Sequence, residues 1–408
     1  LKNFLLLFTL SIFLWSQNLN ELIDLAQKNK LVNSYNYGLD SLKDEYKSVK
    51  QGYLPSVDIG ANYAQAKNEI SSVADKTATA HASVSYTLYD GGKREDTYKS
   101  YESNIKSSEE NIVAIKNQIA LDVVNYYYNY FSLLAQKEAK LKEIEQLNAQ
   151  YERLKKFYDV GTTTEDELQK IISNVESANV NLHEIELNIQ TILHNLEYVV
   201  GQRVDLTTGS TIKESIESKE SLRADIKALE YNLDTKLNQA NIEKSANLPT
   251  VSLDNTYTYY DMDFKNNAYS YPIDDQNIFS VNLQWNIFSF GETKSKYESK
   301  YKEFLSAKSQ YEYEKNKANV DLQLAKKAYE IAKLKIKSAE ASLKAAQSAY
   351  EVIKSKYQNG LIDNVAYLQS LSEKFDAIST LKAATFDLEV KKANIIYHTG
   401  ENLKDYIQ

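Results

Sequence analysis

The 408-residue chain carries 48 Lys and Arg against 56 Asp and Glu, a net charge of −8, with no basic cluster, which argues against a nucleic-acid partner. A quarter of the residues are charged and the mean hydropathy is −0.51, which excludes a polytopic helical membrane protein. There is no cysteine, hence no disulfide, no thiolate metal site and no lipid-bearing N-terminal cysteine, and only 11 Gly and 3 Pro stand against 32 Tyr, so turns are few and elements long.

In chain order, Lys2 followed by the apolar stretch Phe4–Trp15 and then Ser16 predicts a secretory signal peptide over 1–16, too short for a membrane span. A helix follows over 20–51. Strands are predicted at about 55–66 and 78–90, the first opening at Pro55, where the missing donor costs little. In the second, Ala80, Ala82, Val84, Tyr86 and Leu88 alternate with His81, Ser83, Ser85 and Thr87. Then "YDGGKR" (89–94) ends the strand, and Gly92 is followed by 68 residues with neither Gly nor Pro. Apolar positions there recur at spacings of three, four or seven (Ile105, Ile112, Ile115, Ile119, Val123), which predicts one helix over about 92–159, packed laterally on others. Gly161 turns the chain into a second helix at 163–200, and 202–219 reads as a polar linker.

The same order then recurs. Gly92, Gly161 and Gly201 match Gly291, Gly360 and Gly400 at one offset of 199, and "YERLKKFYDVG" (151–161) faces "YEVIKSKYQNG" (350–360). "YLPSVDIGANY" (53–63) faces "NLPTVSLDNTY" (247–257) at offset 194, so the second copy has five more residues between its strands. Repetition at that period is duplication of a whole unit. The copies span 17–201 and 220–401, with a tail at 402–408. The second holds a helix at 220–246, strands at about 250–260 (opened by Pro249) and 277–289, and helices at about 291–358 and 362–399. In its last strand Phe279, Val281, Leu283, Trp285 and Ile287 form the apolar face; Val251, Leu253, Tyr257 and Tyr259 do so in the strand before.

Such alternation suits a sandwich face or a transmembrane barrel strand. Four strands cannot close a barrel, for which about eight is the minimum, and open edges in lipid would leave backbone groups unsatisfied at several kcal/mol each. If the strands span a bilayer, several chains share the barrel: two would supply eight strands, three twelve.

The doubled layout, "LP.V....Y" opening a strand, "YDGGKR" at the strand-to-helix switch, and "VGT" and "NGL" at the helical turns together resemble the TolC-like outer-membrane efflux proteins, over about residues 17–401. The resemblance implies an α+β membrane protein: a homotrimer with a shared 12-stranded outer-membrane barrel and a long antiparallel helical barrel reaching into the periplasm of a Gram-negative bacterium. It implies the channel of a tripartite efflux or type I secretion system, with a periplasmic adaptor and an inner-membrane transporter as partners. It places adaptor docking on the helical tips, Val160, Gly161 and Thr162, and Asn359, Gly360 and Leu361. Asp166, Glu167 and Asp363 are its candidates for a periplasmic gate. The positions where relatives carry an acidic ring are Ala366 and Gln369 here, a departure from the family pattern.

Other readings are weaker. Gly161 and Gly360 also suit left-handed helix caps, and Gly91, Gly92 and Gly291 let the backbone swing from strand to helix. His183 and His194 lie about 16 Å apart along a helix, too far for one metal, and His81 and His398 have no ligand spacing around them. No phosphate loop or nucleophile elbow appears, so neither a catalytic site nor a cofactor is expected. "NYYYNYF" (125–131) is expected mostly to fill seams between helices. The alternative from another class is an exported coiled-coil scaffold, which explains the long helices and leaves the duplicated strands unexplained.

Overall fold

The computed structural model describes residues 17–67, 74–214, 222–264 and 273–408; the predicted signal peptide lies outside them. The chain runs α1 (Leu19–Ala26), α2 (Lys30–Gly52), β1 (Ser56–Gln65), β2 (Ala74–Tyr89), α3 (Lys93–Asp159) and α4 (Glu165–Val200), then α5 (Ala224–Ser245), β3 (Thr250–Phe264), β4 (Asp275–Gln284), α6 (Glu292–Gln358) and α7 (Asn364–Thr399). It divides into two compact units, one of residues 1–34, 112–224 and 315–408, the other of 35–111 and 225–314.

The second unit holds an antiparallel sheet in the order β1-β2-β3-β4, paired through Val57↔Val84, Val84↔Asn255 and Asn255↔Phe279. Trp285 and Ile287, expected in the last strand, lie beyond its end at Gln284. The cause is the partner: Gln284 pairs with Thr250, the first residue of β3, and past it there is no strand to bond. The Trp285 indole instead donates to the Asn247 carbonyl at 3.0 Å. In the same unit, α2 lies antiparallel to the start of α3. Tyr101 donates to Glu45 at 2.8 Å, Lys43 meets Glu109 at 2.8 Å, and the Tyr46 and Tyr101 rings stack at 5.7 Å.

At the first strand-to-helix switch Gly91 and Gly92 have φ of +73° and +86°. A Cβ on Gly91 would sit 2.6 Å from the Ser245 carbonyl oxygen, so glycine is required there twice over, by backbone and by contact. The Asp90 carboxylate accepts from the Arg94 amide at 2.8 Å and caps α3, while the Arg94 guanidinium reaches the Thr87 carbonyl at 2.5 Å.

In the first unit, α1 buries Leu19, Leu22, Ile23 and Ala26 among Val123, Val124, Tyr127 and Phe131 of α3, Leu196 of α4 and Ile396 of α7. The helix expected over 20–51 breaks at residues 27–29. Asn29 starts α2 by accepting from the Val32 amide at 2.9 Å, and its own amide donates to the Val199 carbonyl at 3.0 Å. Within "NYYYNYF", Tyr127, Tyr128 and Phe131 are buried. The first two donate to the carbonyls of Thr207 (2.5 Å) and Ser210 (3.1 Å).

Those two carbonyls belong to the segment expected as a linker over 202–219, of which 215–219 lie outside the described residues; the part at 202–214 is tied to the rest of the unit. Leu206 bridges Gln17, Ile212 bridges Ile407, and the Lys213 amide donates to the Tyr406 carbonyl at 2.9 Å. Ile212 is 2% exposed, a burial that stabilises by about 1.5–3 kcal/mol. The segment is a strap held between the start of the described chain and its C-terminal residues. Its Ser, Thr and Gly content disguised the apolar anchors Val204, Leu206 and Ile212.

Candidate functional site: a two-faced sheet and two helical turns

Along the part of the sheet nearer the strand-to-helix switches, the two faces differ in character. Val57 and Ile59 of β1, Val84 of β2, Leu253 and Tyr257 of β3, and Val281 and Leu283 of β4 share one face by register. Several are bare: Ile59 is 85% exposed and Leu283 68%. Polar residues share this face too: Asn255 and Asn277 lie on it, and further along come Gln65, Lys76, Asp261, Asp263 and Asp275, with Lys76 paired to Asp263 at 3.4 Å. The Asn255 side-chain amide donates to the Asn277 side-chain oxygen across the strands at 3.0 Å.

The other face is polar. Asp254 accepts from Ser85 of β2 at 2.7 Å, Ser252 of β3 at 2.9 Å and Asn282 of β4 at 2.8 Å. All three donors are neutral, so they fix the carboxylate in place without cancelling its charge. Asp58 lies on the same face, opposite Ser83. Among the described residues that face holds no Lys or Arg. The outer edges of β1 and β4 pair with no strand among the described residues.

The turn between α3 and α4 closes with Gly161 at φ +75°. Its amide donates to the Tyr158 carbonyl at 2.9 Å, and the Thr162 amide to the Phe157 carbonyl at 2.8 Å. The α6–α7 turn repeats this closure. Gly360 has φ +69°, and the amides of Gly360 and Leu361 reach Tyr357 (3.0 Å) and Lys356 (2.9 Å). Val160 and Leu361 each project with 71% exposure. Asn359 folds its amide back onto the Ser355 carbonyl at 2.9 Å.

Behind the second turn lies a buried polar network. Gln150 of α3, 6% exposed, donates to the Tyr357 hydroxyl of α6 and to Asn364 of α7, the latter at 3.0 Å. The Tyr357 ring stacks on Tyr367 at 4.8 Å, and Tyr350 donates to Gln146 at 3.0 Å. Burial pushes the Tyr357 phenol up, so it stays a neutral partner across physiological pH. Leu154, Ile171, Leu371 and Phe375 enclose the network.

The profile of the family described as outer membrane efflux protein matches residues 22–202 and again 216–398, nearly the whole chain and both copies of the duplicated unit. The chain belongs to that family. It is an outer-membrane efflux channel of TolC-like fold with a periplasmic extension, and the coiled-coil scaffold is set aside. Solved structures of the same fold include VceC of Vibrio cholerae, at 18% identity and TM-score 0.81 over 94% of this chain and 96% of that one. CmeC of Campylobacter jejuni gives 20% identity and TM-score 0.84 over 94% and 86%. The open state of MtrE of Neisseria gonorrhoeae gives 16% and 0.76 over 94% and 89%. No curated protein sequence matches the chain. Channels of this family are trimeric.

In this efflux channel the gate candidates sit close to the turns with partners of their own. Asp166 pairs with Lys170 at 3.1 Å, and the Thr164 hydroxyl and Lys170 hold its carboxyl below the usual carboxylate range. Glu167 accepts from Thr163 at 2.7 Å. Asp363 is the N-cap of α7, accepting from the Ala366 amide at 2.9 Å. Gln150, Tyr357 and Asn364 were not singled out from the sequence. A glutamine in a helical seam looks like any solvated polar residue, and its counterpart one repeat on is Ala349, so the duplication gives no hint. Among the described residues no helix is long and apolar enough to cross a membrane, and no group of side chains could hold a metal ion.

Proposed function

We propose that this channel acts as a homotrimeric duct, with β4 of one protomer bonded to β1 of the next in a 12-stranded barrel. The observation that carries this is the sheet: a bare apolar stretch on one face and two open edges of 10 residues each. In lipid each unpaired backbone group costs several kcal/mol, which a second and third copy would abolish. The polar face then lines the lumen. Two carboxylates per protomer and no described cation on that face favour passage of cations. Asp254→Asn should move the reversal potential of the reconstituted channel toward zero in a KCl gradient.

The duct has no energy source of its own in this reading; an inner-membrane transporter and a periplasmic adaptor supply it, for efflux or for type I secretion. The adaptor docks on Val160, Gly161, Thr162, Asn359, Gly360 and Leu361, where exposed apolar tips flank a rigid glycine closure. Asp166, Glu167 and Asp363 belong to the gate, and opening it requires the Gln150–Tyr357–Asn364 links between α3, α6 and α7 to give way. Outer-membrane fractions run boiled and unboiled test the trimer: a heat-sensitive band near three times the monomer mass is expected. The chain has no native cysteine, so cysteine pairs placed along Ser56–Gln65 and Asp275–Gln284 will crosslink between protomers and not within one. A monomeric species without crosslinks overturns the shared barrel.

A further inference from the structure

The second strand-to-helix switch departs from the first in a way the duplication does not require. At offset 199 from Gly91 stands Phe290. It keeps the left-handed backbone, φ +50°, and among the described residues no other non-glycine has positive φ. A bulky side chain there is strained, and this one is also 91% exposed. Its near aromatic neighbour is Phe288, 70% exposed, the rings meeting edge to face at 4.5 Å. Strain and exposure together leave the ring unaccounted for by the chain's own packing.

Three observations indicate what covers it. The apolar face of β4, Phe279, Val281 and Leu283, is followed beyond the strand end by exposed Trp285, Ile287 (80%) and this pair, so bare apolar surface runs on past the sheet. Trp285 already has its indole N–H satisfied by the Asn247 carbonyl, leaving an apolar ring for a boundary region. The apolar run stops abruptly at Gly291, and Glu292, Lys294 and Lys296 follow, as at a border between hydrocarbon and headgroups. The first switch shares the exposed apolar approach (Leu88, Tyr89) and the charged run after its glycines, but it carries Gly91 where the second has Phe290, and its Asp90 and Arg94 turn back onto the protein.

We propose that residues 285–290 form a lipid anchor, with Phe290 inserted at the boundary between the acyl chains and headgroups of the membrane, one finger per protomer. The bilayer takes up the ring that the strained backbone presents. This rests on the channel reading, and the test separates the two. The sequence has only two tryptophans, Trp15 and Trp285, so a background with both changed to Phe is free of tryptophan emission. Phe290→Trp in that background places a reporter at the tip. Val281→Trp in the same background is the control on the barrel face.

Both full-length proteins are reconstituted into phosphatidylcholine vesicles brominated at shallow or deep acyl positions. The expected result is loss of emission for both, with the Phe290→Trp reporter quenched more by shallow than by deep bromines and shielded from aqueous acrylamide. Quenching of the control but not of the reporter overturns the anchor and leaves the channel standing. In that case acrylamide quenching places the ring in water, and insensitivity to both quenchers places it under a neighbouring protomer. An unquenched control means the barrel face does not meet lipid, and both readings fall.

Discussion

The two helical turns are built to one plan and fastened by different means. Both end a 67-residue helix on a left-handed glycine with the same pair of backbone bonds. The side-chain bonds at the α3–α4 turn lie at the surface, Thr162 to the Phe157 carbonyl, Thr163 with Glu167 and Asp166 with Lys170. The α6–α7 turn has an exposed cap at Asp363 and is fastened inward through Asn364, which is 4% exposed and bonded to Gln150. Glycine therefore fixes the shape of each turn, and burial decides how hard each is to move. In a duplicated chain the copies can keep one outline while only one carries the latch.

The largest test of this difference removes Gln150. Gln150→Leu leaves the Tyr357 hydroxyl and the Asn364 amide short of a buried partner, at about 2 kcal/mol. Hydrogen exchange of amides in the α6–α7 turn should quicken about 30-fold, with far less change around Gly161. Equal acceleration at both turns would erase the contrast. Next come Gly161→Ala and Gly360→Ala, where an added Cβ meets nothing within 4 Å at either position. The backbone penalty of about 1 kcal/mol should therefore be the same in both, read as matched increases in local exchange. Asp363→Ala should cost about 1 kcal/mol as a lost cap. Thr164→Ala, at the matching position of α4, should cost α4 little in comparison, because Thr164 makes no side-chain cap bond. The smallest effect on stability is that of Asp166→Asn: its ion pair is exposed and screened, so no shift of the thermal midpoint is expected. If its conductance nonetheless rises, the carboxylate acts in gating rather than in folding.

Much of the architecture was legible because it obeys simple periodicities. Absent Gly and Pro, helix boundaries fall at the glycines, and the pleat writes Val57, Ile59, Val84 and Leu253 onto one face. What escaped was decided by partners far away in sequence. Where β4 stops depends on where β3 starts. The break between α1 and α2 depends on Asn29 reaching Val199, 170 residues on. The strap looked like a linker because its few apolar anchors are spaced by polar residues, and only the distant residues that receive them, Gln17 and Ile407 among them, hold it in place. At the candidate site the turn glycines were visible through duplication, whereas Gln150 was not, since nothing in its own neighbourhood marks a buried amide.

The open edges of the sheet have a consequence for the life of a single chain. An unpaired strand edge accepts any strand that fits it, a second copy in the right register or a stray segment of another protein. A lone protomer is thus an aggregation-prone intermediate whose survival depends on meeting its sisters quickly. Assembly should be steeply concentration-dependent, and any slowing of synthesis or delivery should show first as precipitate, before it shows as loss of transport.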